Sequence, residues 1–248
     1  MAQDTTGSKY GFETTTGLTI QQGFFEESEE PKHNIGTCVA IADGRCFHYS
    51  KAGAVALSAG KLNMSALAIA GHEDCDVAAV VAAFNKQVTL TPATAAVTVD
   101  QYAEGYVQTR SATGLGQMRK IRSHPAAGIA ANVVVTCYDP FTIALDATTQ
   151  ANLIKSPYDE VIESAVEENI PSGVPLIDVQ AGYFFWNQTM GPAAVLSDGA
   201  IAAGSEVVAG TVAGSVAVQS AFLFPIVGTM MLLSVDAESA AVFLRLGK

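Results

Sequence analysis

Five consecutive side chains, His72, Glu73, Asp74, Cys75 and Asp76, include every common metal-ligand type, so this stretch is the first place to look for chemistry. Consecutive residues cannot all face one ion, however, and no second ligand pair of suitable spacing lies nearby. A solvated loop is expected, with Asp76 as an alternative cap for a short helix over Val77 to Phe84. The four histidines, His33, His48, His72 and His124, are scattered, and a nucleophilic triad needs one of them beside a nucleophile and a carboxylate in space. GxSxG, HExxH and a phosphate-cradling glycine loop do not occur, and Gly114-Leu115-Gly116 lacks the third glycine of a dinucleotide fingerprint. No catalytic residue, metal ligand or cofactor is therefore assigned, and the chain is read as a non-enzyme. A hydrolase would have to gather His48 or His124 with a carboxylate and a Ser or Cys.

Two further groups suit binding. Arg110, Arg119, Lys120 and Arg122 form the one basic cluster, and on a strand Arg119 shares a face with Ile121 while Lys120 shares the other with Arg122. A solvated face pairing with acidic neighbours is the expected reading, with an acidic protein partner as the open alternative. Tyr183, Phe184, Phe185 and Trp186 bring the only tryptophan into an aromatic run that would suit sugar stacking. Alternation sends Phe184 and Trp186 one way and Tyr183 and Phe185 the other, so at least one pair belongs to a core. Arg119, Lys120, Arg122, Tyr183 and Trp186 are the candidate interaction surface.

Composition narrows the partners. A net charge of −11 and a pI near 4.7 exclude a nucleic-acid binder that works through clustered Lys and Arg. Charged residues are 15% of the chain, against roughly 25% in ordinary soluble domains, and mean hydropathy is +0.29. So little charge implies that apolar surface is covered by other copies or by a partner. No run approaches the ~20 apolar residues of a membrane span, and the first residues lack the regions of a signal peptide, so folding in the cytoplasm is expected. Cys38, Cys46, Cys75 and Cys137 have no CxxC spacing and are expected to be reduced and mostly buried.

The elements that must position these groups are strands. The stretches QVTLT, AAVTV, GYVQT, GQMRKIR and NVVVTCY, parted by Pro and Gly turns, predict an antiparallel β-sandwich or β-barrel. Asp43-Gly44 and Asp198-Gly199 each predict a hairpin, and Gly191-Pro192 predicts a break between two strands. A short helix is expected after Ser156-Pro157, with a strand over Val161–Val166 as the alternative, beside the alternative helix over Val77–Phe84. The fold class is therefore mainly β with few short helices and an extended N-terminal arm. Residues 1–34 form that arm, anchored by Tyr10, Phe12, Phe24 and Phe25; 35–168 form a first β-rich domain; and 169–248 form a C-terminal β-meander, joined through a linker at Asn169–Val174.

The succession IGTCVAIADGRCFHYSKAGAVALSAGKL, VTVDQYAEGYVQTRSATGLGQMRKIRSHPAA, VVVTCYDPFTIALDATTQANLIKSPYDEV, AGYFFWNQTMGPAAVLSDGAIAAG, PIVGTMM and FLRL resembles a group of tailed-bacteriophage structural proteins encoded beside the major capsid protein. The resemblance runs from residue 35 onward. It implies a virion protein of the head decoration or cement type, sitting on the outer surface of the capsid and stabilising the shell. Its partners would be the major capsid protein and further copies of itself, as a homotrimer or other cyclic oligomer, with no nucleic acid and no membrane. A receptor- or glycan-binding head-fibre or tail module is the alternative.

Overall fold

The computed structural model describes residues 20–163, 169–220 and 224–247, and its regular structure is entirely β, with no helix among the described residues. In chain order the strands are β1 (Cys38–Ala40), β2 (Cys46–Lys51), β3 (Asn63–Met64), β4 (Cys75–Val77), β5 (Gln87–Thr91), β6 (Tyr106–Ser111), β7 (Met118–Ser123) and β8 (Val133–Cys137). There follow β9 (Gln150–Ile154), β10 (Ile162–Glu163), β11 (Pro171–Pro175), β12 (Phe184–Ser197), β13 (Glu206–Ala209), β14 (Ser215–Val218), β15 (Gly228–Met230) and β16 (Ser239–Arg245). Among the described residues neither helix forms. Val77 and Val81 are drawn into a barrel core, Val81 bridging Leu145, and Ile162–Glu163 pairs with β3.

The chain divides into two compact units, one from Met1–Ala66 with Pro157–Lys248 and one from Leu67–Ser156. This corrects the boundaries expected at residues 34 and 168. Long-range pairing is the reason: β2 pairs with β12, so the early hairpin belongs with the last third of the chain. The expected linker is itself a strand, β11, held between β3 and β12.

The inserted unit is a closed antiparallel barrel in the order β4-β5-β8-β7-β6-β9, with β9 returning to β4. Four of the five predicted strands are β5 to β8, and period-two alternation sends Val88, Leu90, Val133, Val135 and Cys137 inward. AAVTV contributes only a bridge from Val97 to Ala127.

The other unit is organised by β12, a 14-residue strand. Its first half lies between β2 and β11, and its second half pairs with β16 from Met190↔Arg245 to Leu196↔Ser239. The circuit β12, β14, β13, β15 and β16 closes on itself around Val195, Val207, Val216, Val227, Val242 and Leu244. Gly191-Pro192 does not break the strand. The register shifts between Gln188 and Met190, Gly191 takes φ 87°, and the Gln188 Nε2 group donates to the carbonyls of Met190 (3.1 Å) and Pro192 (2.8 Å). The strand bends through a bulge instead of ending.

The two Asp-Gly turns have different outcomes. At Asp43-Gly44, β1 and β2 pair antiparallel around a tight loop, with Gly44 at φ 90°. At Asp198-Gly199 the chain turns, but no hairpin follows, and β12 pairs in parallel with β14. The Asp198 carboxylate accepts hydrogen bonds from the Thr211 N–H (2.7 Å) and hydroxyl (2.8 Å), tying this turn to the loop before β14.

Candidate functional site

The HEDCD stretch is split by the strand it enters. Alternation in β4 buries Cys75 and leaves Asp76 exposed, while Glu73 and Asp74 face solvent. The Asp74 carboxylate forms an ion pair with Arg110. His72 is 1% exposed, accepts at Nδ1 from the Tyr102 hydroxyl (2.5 Å) and donates from Nε2 to the Ala95 carbonyl (3.1 Å). Cys75 donates its thiol to the His72 carbonyl, and burial pushes that thiol up to about 11. Among the described residues, no three His, Cys, Asp or Glu side chains gather in metal-binding geometry.

Tyr102 holds a second histidine. Its backbone N–H donates to His124 Nε2 (2.9 Å), and His124 Nδ1 donates to the Pro125 carbonyl (3.0 Å). His48 is elsewhere: buried on β2, it stacks on Tyr158 with ring centroids 4.3 Å apart and bonds Thr189 Oγ1 through Nδ1 (3.0 Å). Burial pushes its imidazole down to about 4. His33 accepts the Gln21 N–H at Nε2, and burial lowers it as well. Of these four, only His72 and His124 share a contact residue.

The basic cluster is engaged within its own unit. Arg119 donates to the Pro140 carbonyl (2.6 Å), the Met118 carbonyl (2.8 Å) and Thr142 Oγ1 (3.2 Å), and its guanidinium lies over the Phe141 ring. Lys120 pairs with Glu104 at 2.5 Å, and Glu104 also accepts the Tyr138 hydroxyl, which raises that phenol. Arg122 is exposed. The acidic neighbours expected for this face are Asp74 and Glu104.

The aromatic run is core on both sides. Phe184 and Trp186 pack with Phe24, Val39, Phe47 and Tyr49, while Tyr183 and Phe185 pack with Leu57, Val161 and Val179. Trp186 is 1% exposed, which removes it from the candidate interaction surface; Tyr183 is half-buried. Of the arm's anchors, Tyr10 and Phe12 lie outside the described residues. Phe24 is 2% exposed and stacks on Phe47, so it holds residues 20–34 to their own unit, whereas Phe25 is 59% exposed.

Residues with no motif supply part of the accessible apolar surface. In the barrel unit, segments 80–84 and 141–145 are joined by Val81↔Leu145 and the Phe84 N–H to Phe141 carbonyl bond, and they turn Val80, Phe84 and Ile143 outward. In the other unit, Met231, Leu232, Leu233 and Val235 are exposed around Ser234, whose inward hydroxyl meets Ser197 Oγ (2.8 Å) and the Ile201 N–H (3.0 Å). These loops are pinned by hydrogen bonds in positions that display apolar side chains. Nothing in their spacing marks them, since a run such as MLLSV reads as buried strand. Comparison with protein-family models, curated proteins and solved structures found no match to this chain.

Proposed function

We propose that the chain is a structural virion protein of a tailed bacteriophage, a head decoration or cement protein that binds the outside of the capsid and stabilises the shell. The observation that carries this reading is the display of Val80, Phe84 and Ile143 on one unit and of Leu232 and Leu233 on the other, in a chain with 15% charged residues. Anchored apolar loops of this kind suit repeated contacts with shell subunits and with further copies, and many such contacts around a lattice add up through avidity. The resemblance from residue 35 onward supports the same reading. The glycan-binding alternative needs an exposed aromatic platform, and the burial of Trp186 weighs against placing one there.

The test mixes purified protein with emptied phage heads, pellets the heads and images them by electron cryo-microscopy. Stoichiometric extra density on the outer shell is expected, and it disappears for Leu232→Asp/Leu233→Asp at unchanged far-ultraviolet circular dichroism. Protein that stays in the supernatant overturns the proposal.

A further inference from the structure

Asn63 and Asn187 are each 0% exposed, and neither the carbonyl oxygen nor the amide nitrogen of either side chain has a protein partner. Buried polar groups are satisfied almost without exception, by protein or by ordered water.

The strands bring the two residues to one place. Asn63 on β3 is the register partner of Gly173 on β11, and Asn187 on β12 is the partner of Pro175, two residues further along β11. Register partners and i, i+2 neighbours share a sheet face, so Asn63, Gly173 and Asn187 lie in one row on one side. Met64 and Val174 take the opposite side, in the closed-circuit core. Gly173 is at φ 138°, and a Cβ built there would sit 2.8 Å from Asn187 Cγ and 2.9 Å from its Oδ1. The Asn187 carboxamide thus lies over the Gly173 backbone, where a side chain would otherwise stand, on the sheet side that carries Asn63. Beyond Asn63 the row ends at its partner Glu163, which pairs with Lys61 at 2.8 Å.

We infer that Asn63 and Asn187, across Gly173, form a binding site for internal water, with at least one molecule bridging the two carboxamides. Water fits the chemistry because it donates and accepts, as the unpartnered amide and carbonyl groups require, and because a wholly enclosed polar site admits little else. The partly buried Lys61–Glu163 pair at the end of the row marks the polar side from which that water exchanges.

A high-resolution crystal structure of the full chain tests this directly. Ordered water within about 2.7–3.2 Å of both carboxamides is expected. Direct bonding between Asn63 and Asn187, with no density between them, overturns the inference. In solution, the side-chain NH2 groups of both asparagines are expected to show cross-peaks to long-lived water, lost in Asn63→Leu/Asn187→Leu. Should that double variant not fold, absence of the cross-peaks in the wild-type chain refutes the site equally.

Discussion

Trp186 donates its indole N–H to the backbone carbonyl of Gln22 at 2.8 Å, across 164 positions of sequence. Gln22 is itself buried, its Nε2 donating to the carbonyls of Glu26 and Phe184 and its Oε1 accepting from the Ser28 and Tyr49 hydroxyls. The segment before the first strand is thereby fastened to the start of β12, the longest strand among the described residues. Trp186→Phe removes the bond and leaves the Gln22 carbonyl short of a donor, at a cost of about 1–3 kcal/mol, and Phe24→Ala costs about 3–5 kcal/mol through the cavity beside Phe47. Urea denaturation followed by circular dichroism measures both; an unchanged midpoint for Phe24→Ala contradicts the packing of this segment.

Gly173→Ala is expected to destabilise more than Gly44→Ala. Both glycines have positive φ, but a Cβ at Gly173 would lie 2.7 Å from the Gln188 carbonyl oxygen, whereas nothing lies within 4 Å of one at Gly44. Gly44→Ala should therefore cost only the backbone term of about 1–2 kcal/mol, and Gly173→Ala that term plus a steric one. Thermal unfolding of the two variants gives the order.

Stability should fall as pH drops from about 6.5 toward 4. Burial holds His48 down to about 4 and lowers His33, so over this window the unfolded chain binds protons that the folded chain refuses. The stabilisation is complete above the ordinary histidine value and is lost on the acid side, by on the order of 3 kcal/mol for His48. Urea midpoints measured against pH should show this slope in the wild type and a flatter one in His48→Gln.

Tyr102→Phe deletes the hydroxyl that His72 Nδ1 accepts, while keeping the backbone bond to His124. A buried acceptor left unpaired costs about 1–3 kcal/mol. The loss should appear in circular dichroism melts, and the His72 ring proton resonances should shift more than those of His124.

Thiol labelling should follow burial. Cys75 and Cys137 are buried with thiols pushed up to about 11 and about 12, and Cys46 is buried as well, whereas Cys38 is half-buried. In the native protein Cys38 is expected to react first with a disulfide reagent, and the other three only as the chain unfolds. Fast native labelling at Cys137 contradicts the barrel core.

The amino-acid sequence by itself determined what depends on neighbours a few residues apart. Alternation along QVTLT and NVVVTCY set inward and outward faces in the barrel. The same rule separated Phe184 and Trp186 from Tyr183 and Phe185 into two cores, and Asp43-Gly44 carried enough turn chemistry to close a hairpin. Only the tertiary structure decided which strands meet. Asp198-Gly199 has the same turn residues, yet β12 passes over the hairpin for a parallel partner, and Pro171–Pro175, whose prolines and glycine read as a linker, is a strand between two others. Strand pairing is non-local, and the burial that selects a partner is not written in either strand alone. The burial of Phe24, the exposure of Leu232 and Leu233, and the meeting of Asn63 with Asn187 across Gly173 all follow from those pairings. For this reason the residues now placed in candidate sites were not the ones whose types had announced chemistry.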